Sequence, residues 1–68
     1  MIKTYYAICR DFPDRIYEFP VRPGYWMNTV LTDGYHTKDG QYIDEWYELD
    51  LDTCDIYGDL DEAGYNPD

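Results

Sequence analysis

Nine carboxylates fall within residues 43–62, IDEWYELDLDTCDIYGDLDE: Asp44, Glu45, Glu48, Asp50, Asp52, Asp55, Asp59, Asp61 and Glu62. No Lys, Arg or His interrupts them. Carboxylates at this density can bind a hard cation, shuttle protons, or offer an anionic surface to a basic partner. The calcium-loop pattern D-x-[DN]-x-[DN]-G fails at both plausible starts. From Asp50, Cys54 and Asp55 occupy the fifth and sixth places; from Asp59, Ala63 occupies the fifth. Two Cys and one His are too few for a structural zinc site, so no metal and no cofactor is expected. Paired carboxylates carry no catalytic signal where acids are everywhere. The chain has no Ser and no glycine-rich phosphate loop. His36 with Cys9 or Cys54 is the remaining nucleophile pair, and a thiol lacking nearby positive charge is a poor one. No enzyme is expected, which leaves the anionic surface.

The charge balance sharpens that reading. The net charge is −10 over 68 residues. Residues 1–32 set four cations against three acids, a balance of +1, whereas residues 33–68 set Lys38 against twelve acids, a balance of −11. Such asymmetry bears on partners rather than on fold. Direct nucleic-acid binding is disfavoured, because it needs Lys and Arg to displace counterions from phosphates. An anionic membrane is disfavoured for the same reason. The expected partner is a basic, DNA-binding protein surface, met by a monomer. Ile43, Trp46, Tyr47, Leu49, Leu51, Ile56, Tyr57 and Leu60 are threaded between the acids. Disordered acidic tails lack such side chains, so a folded segment is expected, with Trp46 and Tyr57 joining the nine acids at the interface. The competing reading is an adaptor that binds through an aromatic patch of Tyr5, Tyr6, Tyr25 and Trp26, its acids serving solubility.

Positioning those groups falls to a single small domain, residues 1–68, whose core must draw on aromatics making up 19% of the chain. The expected class is α+β leaning β: one antiparallel sheet of three to four strands, at most one short helix, and an acidic face. Residues 2–10 favour a strand; Asp11-Phe12-Pro13-Asp14 reads as a turn; Arg15 to Phe19 reads as a second strand in a hairpin with the first. Pro20 is expected at its end or on an edge. Tyr25 to Thr32 reads as the third strand. Asp33-Gly34 and Asp39-Gly40 are turn dipeptides around YHTK, and a fourth strand starts within 41–45. Residues 43–54 fit two patterns. As a strand, Tyr47, Leu49 and Leu51 face in while Glu48, Asp50 and Asp52 face out. As a helix, Ile43, Tyr47, Leu51 and Cys54 form a stripe; poor Asp propensity and like charges at i,i+4 oppose it. Either pattern sets the acids on one exposed face. Asp59 to Gly64 reads as one helical turn, with Asp59 as N-cap and Gly64 at C′, and 65–68 as frayed. Cys9 and Cys54 are expected as reduced thiols in a cytosolic protein, a disulfide being the alternative. No stretch is long and apolar enough to span a membrane.

A small, acidic, aromatic-rich domain without catalytic residues resembles phage-encoded inhibitors of host defence. These include anti-CRISPR proteins, anti-restriction proteins and inhibitors of uracil-DNA glycosylase. The resemblance rests on size, composition and charge placement around DEWYELDLDTCDIYGDLDE. It implies DNA mimicry in the cytoplasm of an infected bacterial host. The acidic face would enter the DNA-binding or PAM-reading cleft of a nuclease or CRISPR effector complex, where Asp and Glu would replace phosphate.

Overall fold

The β-forming stretches at the start of the chain pair as an antiparallel hairpin, β1 (Lys3–Cys9) with β2 (Arg15–Val21), around the expected 11–14 turn. The computed structural model describes residues 1–65. Around the hairpin lie β4 (Gly34–Thr37), β5 (Tyr42–Ile43) and β7 (Cys54–Tyr57), completing an antiparallel sheet of order β5-β4-β2-β1-β7. A second, two-stranded sheet pairs β3 (Thr29–Thr32) with β6 (Tyr47–Asp50). The all-β leaning is as expected. The single sheet of three to four strands is not: the described residues make seven strands in two sheets, and residues 25–28 stay outside β3.

Residues 43–54 follow neither expected pattern throughout. The strand pattern is right for Tyr47–Asp50, where Leu49 is buried between exposed Glu48 and Asp50. A 3-10 turn (Leu51–Thr53) then breaks the alternation and tucks Leu51 into the core. Asp50 nucleates that turn, its side chain accepting from the Asp52 amide at 3.1 Å. No helix longer than this turn occurs among the described residues, so none could cross a membrane. At 59–65 the expected capping chemistry is present, although the segment is a turn and not a helix. The Asp59 carboxylate accepts from the Glu62 amide at 2.8 Å, and Gly64 takes φ +88°. The amides of Gly64 and Tyr65 bond back to the carbonyls of Asp61 and Leu60, the pattern that closes a helix end at glycine. The expected fraying of 65–68 is corrected at Tyr65, which is half-buried and bonded, and for 66–68 it lies outside the described residues.

The pleat of the large sheet sets two faces. Tyr5, Ala7 and Cys9 of β1 lie beside Tyr17 and Phe19 of β2 on the inner face. The β3–β6 ribbon covers them with Leu49, and Leu51 and Cys54 complete the core. On the outer face Tyr6 pairs with Glu18 and Tyr57, and His36 with Ile16 and Tyr42. The 59–65 turn packs on that side: the Tyr65 ring meets His36 edge-on at 5.5 Å and its hydroxyl donates to the Gly40 carbonyl at 3.5 Å. Ile16 on that face is wholly buried.

Pro20, expected at a strand end or on an edge, is the last residue but one of the central strand β2. The Glu18 carbonyl accepts from Asp33, so Glu18 directs its polar groups toward β4, and Pro20, two residues on, turns its nitrogen the same way. The pairing with β4 ends at Glu18, so no partner there needs the missing N–H. Gly34 opens a strand rather than serving as a left-handed turn residue. It is needed for close approach: an added Cβ would lie 2.6 Å from the Ile43 carbonyl and against the Tyr42 hydroxyl. Gly34→Ala is expected to push β5 away at a cost of about 1–3 kcal/mol. At Gly58 an added Cβ meets nothing nearer than 3.9 Å, so Gly58→Ala is the control. Thermal unfolding reads both. Equal melting temperatures for the two variants would remove the packing explanation for Gly34.

Cys9 and Cys54 are register partners across β1 and β7 and are joined as a disulfide, their Cα atoms 4.1 Å apart. The next rung bonds through the Arg10 amide and Thr53 carbonyl at 3.2 Å. The cysteines therefore occupy a non-hydrogen-bonded pair, where antiparallel strands come closest. The expectation of two reduced thiols is corrected accordingly.

Candidate functional site

The nine acids of residues 43–62 are all exposed, but they do not share one face. Asp44 and Glu45 lie in the β5–β6 loop, Glu48 and Asp50 on β6, and Asp52 in the 3-10 turn. On the β3–β6 ribbon Glu48 stands beside Leu31 and Asp50 beside Thr29, directed away from the core because the alternate pair Val30 and Leu49 fills it. Asp55 pairs with Ile8 on the outer face of the large sheet. Asp59, Asp61 and Glu62 belong to the turn on that same side. The one-face expectation is therefore replaced by two groups on opposite sides, divided at the 3-10 turn. The division has a simple origin: the strand alternation that would align the acids restarts after residue 53, on a different sheet.

Two of the nine also have structural work, Asp50 and Asp59, each capping a turn through its carboxylate. Among the described residues the sole ion pair is His36 with Glu18, at 3.1 Å. Among the described residues none of the nine acids has a cation within ion-pair distance. Their field is felt locally: the Tyr6 hydroxyl is pushed above the ordinary tyrosine value by burial first, then by Glu18 and Asp59. Tyr42 is pushed up in the same way, by burial, then Glu18, Asp44 and Asp33.

Trp46 and Tyr57 are not brought together. Tyr57 is half-buried on the outer face beside Tyr6. Trp46 is 76% exposed in the β5–β6 loop, on the inner-face side. The aromatic patch of the competing reading is likewise split. Tyr5 meets Trp26 edge-on at 5.5 Å on the inner side, while Tyr6, one residue on, faces outward. Tyr25, Met27 and Leu31 are also exposed apolar side chains and line a separate groove with Pro20 and Arg22.

Beside Trp46 opens a cleft of about 360 Å³ that the sequence reading missed. Its floor is Tyr17, whose ring stacks on Tyr47 at 5.7 Å and meets Tyr35 at 5.2 Å. Arg15 forms one end. Its guanidinium lies over the rings of Phe12 at 4.9 Å and Tyr35 at 4.7 Å and donates to the Tyr17 hydroxyl at 3.0 Å. Arg15 is a permanent cation, as any arginine is at neutral pH. Asp44 and Glu45 line the cleft from the β5–β6 loop. Arg15 and Tyr17, two apart on one strand, were a legible pair. Tyr35 was not, since it joins them through the β2–β4 register, Tyr17 opposite Tyr35. Among the described residues no His, Cys, Asp and Glu cluster is arranged to hold a metal ion.

No family model, curated protein or solved structure matches this chain.

Proposed function

We propose that the protein is a non-catalytic inhibitor that mimics nucleic acid, docking carboxylates into the DNA-binding cleft of a host-defence protein such as a CRISPR effector complex. The observation that carries this reading is the set of exposed carboxylates with no internal counter-charge: among the described residues, one ion pair serves the whole surface, and it uses Glu18. A surface built only for solubility mixes signs. The spacing along β6 also fits. Glu48 and Asp50 are alternate strand residues about 6.8 Å apart, roughly two of the ~3.4 Å steps of one phosphate strand. The reading therefore needs a groove lined for one backbone, in the cytoplasm of an infected host.

Of the two acidic groups, the one from Asp44 to Asp52 is the docking surface, because it adjoins exposed Trp46 and half-exposed Tyr47, and aromatics anchor interfaces. Asp55, Asp59, Asp61 and Glu62 contribute longer-range steering. The test is capture from a bacterial lysate carrying CRISPR and restriction systems, with elution by salt and by DNA. Glu48→Lys with Asp52→Lys avoids the Asp50 cap and is expected to weaken binding about a hundredfold, or ~2.7 kcal/mol. Asp61→Lys with Glu62→Lys is expected to slow association with less than about tenfold loss. Unchanged affinity in the first pair, or a partner indifferent to salt and DNA, would reject mimicry. The second outcome would favour an adaptor working through exposed apolar side chains such as Tyr25, Trp26, Met27 and Leu31.

A further inference from the structure

We propose that the cleft beside Trp46 is an anchor pocket for one arginine residue of the protein partner. The nature of the partner rests on the mimicry reading; the chemistry of the pocket rests on the cleft alone.

The cleft has polar ends of opposite sign and aromatic sides. At one end Asp44 and Glu45 have no cation within ion-pair distance among the described residues. At the other, the Arg15 guanidinium lies 4.9 Å from the Phe12 ring centre and 4.7 Å from that of Tyr35, and one N–H is donated to Tyr17, which leaves its other donors without a side-chain acceptor among the described residues. Arg15 is not paired with either acid, since no contact within ion-pair distance joins them among the described residues. Between them stand Tyr17 and Tyr47, already stacked, and Trp46, which has no aromatic partner among the described residues. A complementary occupant carries a cation at one end, a flat or apolar body in the middle and a hydrogen-bond acceptor at the other end.

An arginine residue in an extended segment has those three parts. Its guanidinium would lie against Asp44 and Glu45 with its face toward Trp46. Its methylene stem would cover Tyr47, and its backbone carbonyl would accept from Arg15. Lysine supplies the charge without the flat face. A phosphate or a carboxylate suits Arg15 but is repelled by the two acids. The cleft volume lies within the range of about 300–1,000 Å³ usual for ligand pockets. A groove that holds a phosphate strand is lined with arginine, so a mimic of that strand meets such side chains on docking.

The test uses the whole protein and small capped residues in place of a partner: N-acetyl-arginine methylamide, the citrulline analogue that keeps its shape without its charge, and the lysine analogue. The readout is the indole N–H resonance of Trp46, with that of Trp26 as internal reference. Capped arginine is expected to move Trp46 saturably in the millimolar range, where a dissociation constant of 1 mM corresponds to about 4.1 kcal/mol. Citrulline, lysine, and arginine with the Asp44→Asn/Glu45→Gln variant are each expected to bind at least about tenfold more weakly. Trp26 should stay still. Citrulline equal to arginine, lysine equal to arginine, equal movement of both indoles, or an unaffected amide variant would each overturn the assignment. The two proposals fail separately. Arginine binding without a DNA-competed partner sinks mimicry alone. A DNA-competed partner indifferent to Asp44→Asn/Glu45→Gln sinks the pocket alone.

Discussion

Reducing the Cys9–Cys54 disulfide is expected to lower the unfolding free energy by about 4 kcal/mol. The bridge joins positions 45 residues apart, so it closes two-thirds of the chain into a loop. Closing a loop of that length in the unfolded ensemble removes roughly 13 cal/mol/K of entropy in the chain-entropy account. The size of the effect matters because a chain this short has little to spare. At about 0.05–0.15 kcal/mol per residue, 68 residues hold roughly 3–10 kcal/mol in total. Reduction therefore takes between about two-fifths and all of it. Urea unfolding with and without dithiothreitol measures the difference, and Cys9→Ala/Cys54→Ala should match the reduced protein. A double variant that unfolds at the same urea concentration as the oxidised protein would mean that the strand pairing alone holds β7 in place.

The consequence reaches function. Disulfides are rare in a reducing cytoplasm, and the proposed site of action is cytoplasmic. If the protein works as a dithiol, its fold is marginal until a partner binds, and binding then adds stability in proportion to RT ln(1 + [L]/Kd). Reduced protein should consequently gain more in melting temperature from its partner than its isolated stability suggests. The acidic strand β6 and the cleft depend on this, since Leu49 and Leu51 lie in the same core cluster as the two cysteines.

Local patterns were readable where a strand needed only itself. The hairpin of β1 and β2, the alternation of Tyr47–Asp50, the Asp59 cap and the Gly64 closure all follow from side chains within a few residues of one another. What the sequence could not reveal was every relation set between strands. Whether Glu48 and Asp55 share a side depends on Leu51 turning into the core and on β7 joining a different sheet from β6, which no local period encodes. The role of Gly34 depends on Tyr42 and Ile43 arriving across the β4–β5 pair. The cleft depends on three strands and a loop meeting around Arg15. The cysteines illustrate the same limit from the other side. Their pairing required Cys9 and Cys54 to be opposite each other in a non-hydrogen-bonded register, which neither composition nor spacing along the chain encodes.

Tyr17→Ala is expected to cost about 3–5 kcal/mol, the range for deleting a buried aromatic ring. Tyr17 is 1% exposed, on the central strand, and contacts rings on both sides, Tyr35 and Tyr47. Its loss would open a cavity where the two sheets meet. Tyr17→Phe is expected to behave differently. The ring remains, only the hydrogen bond from Arg15 is lost, and stability should fall by no more than about 1.5 kcal/mol. Chemical denaturation of the two variants separates ring from hydroxyl, and a Phe variant as unstable as the Ala variant would show that the Arg15 bond, not packing, holds the site. The comparison also bears on the cleft. Tyr17 is at once the centre of the core and the floor beneath the proposed arginine, so the floor cannot move without unfolding the domain. Such a floor is preorganised, and preorganisation reduces the ordering cost of binding. In Tyr17→Phe the floor is kept while Arg15 loses its tether, so capped arginine should still move Trp46 but with weaker affinity, the backbone carbonyl having lost a fixed donor. The acidic end of the cleft would be untouched, which makes this variant the means of testing the two ends one at a time.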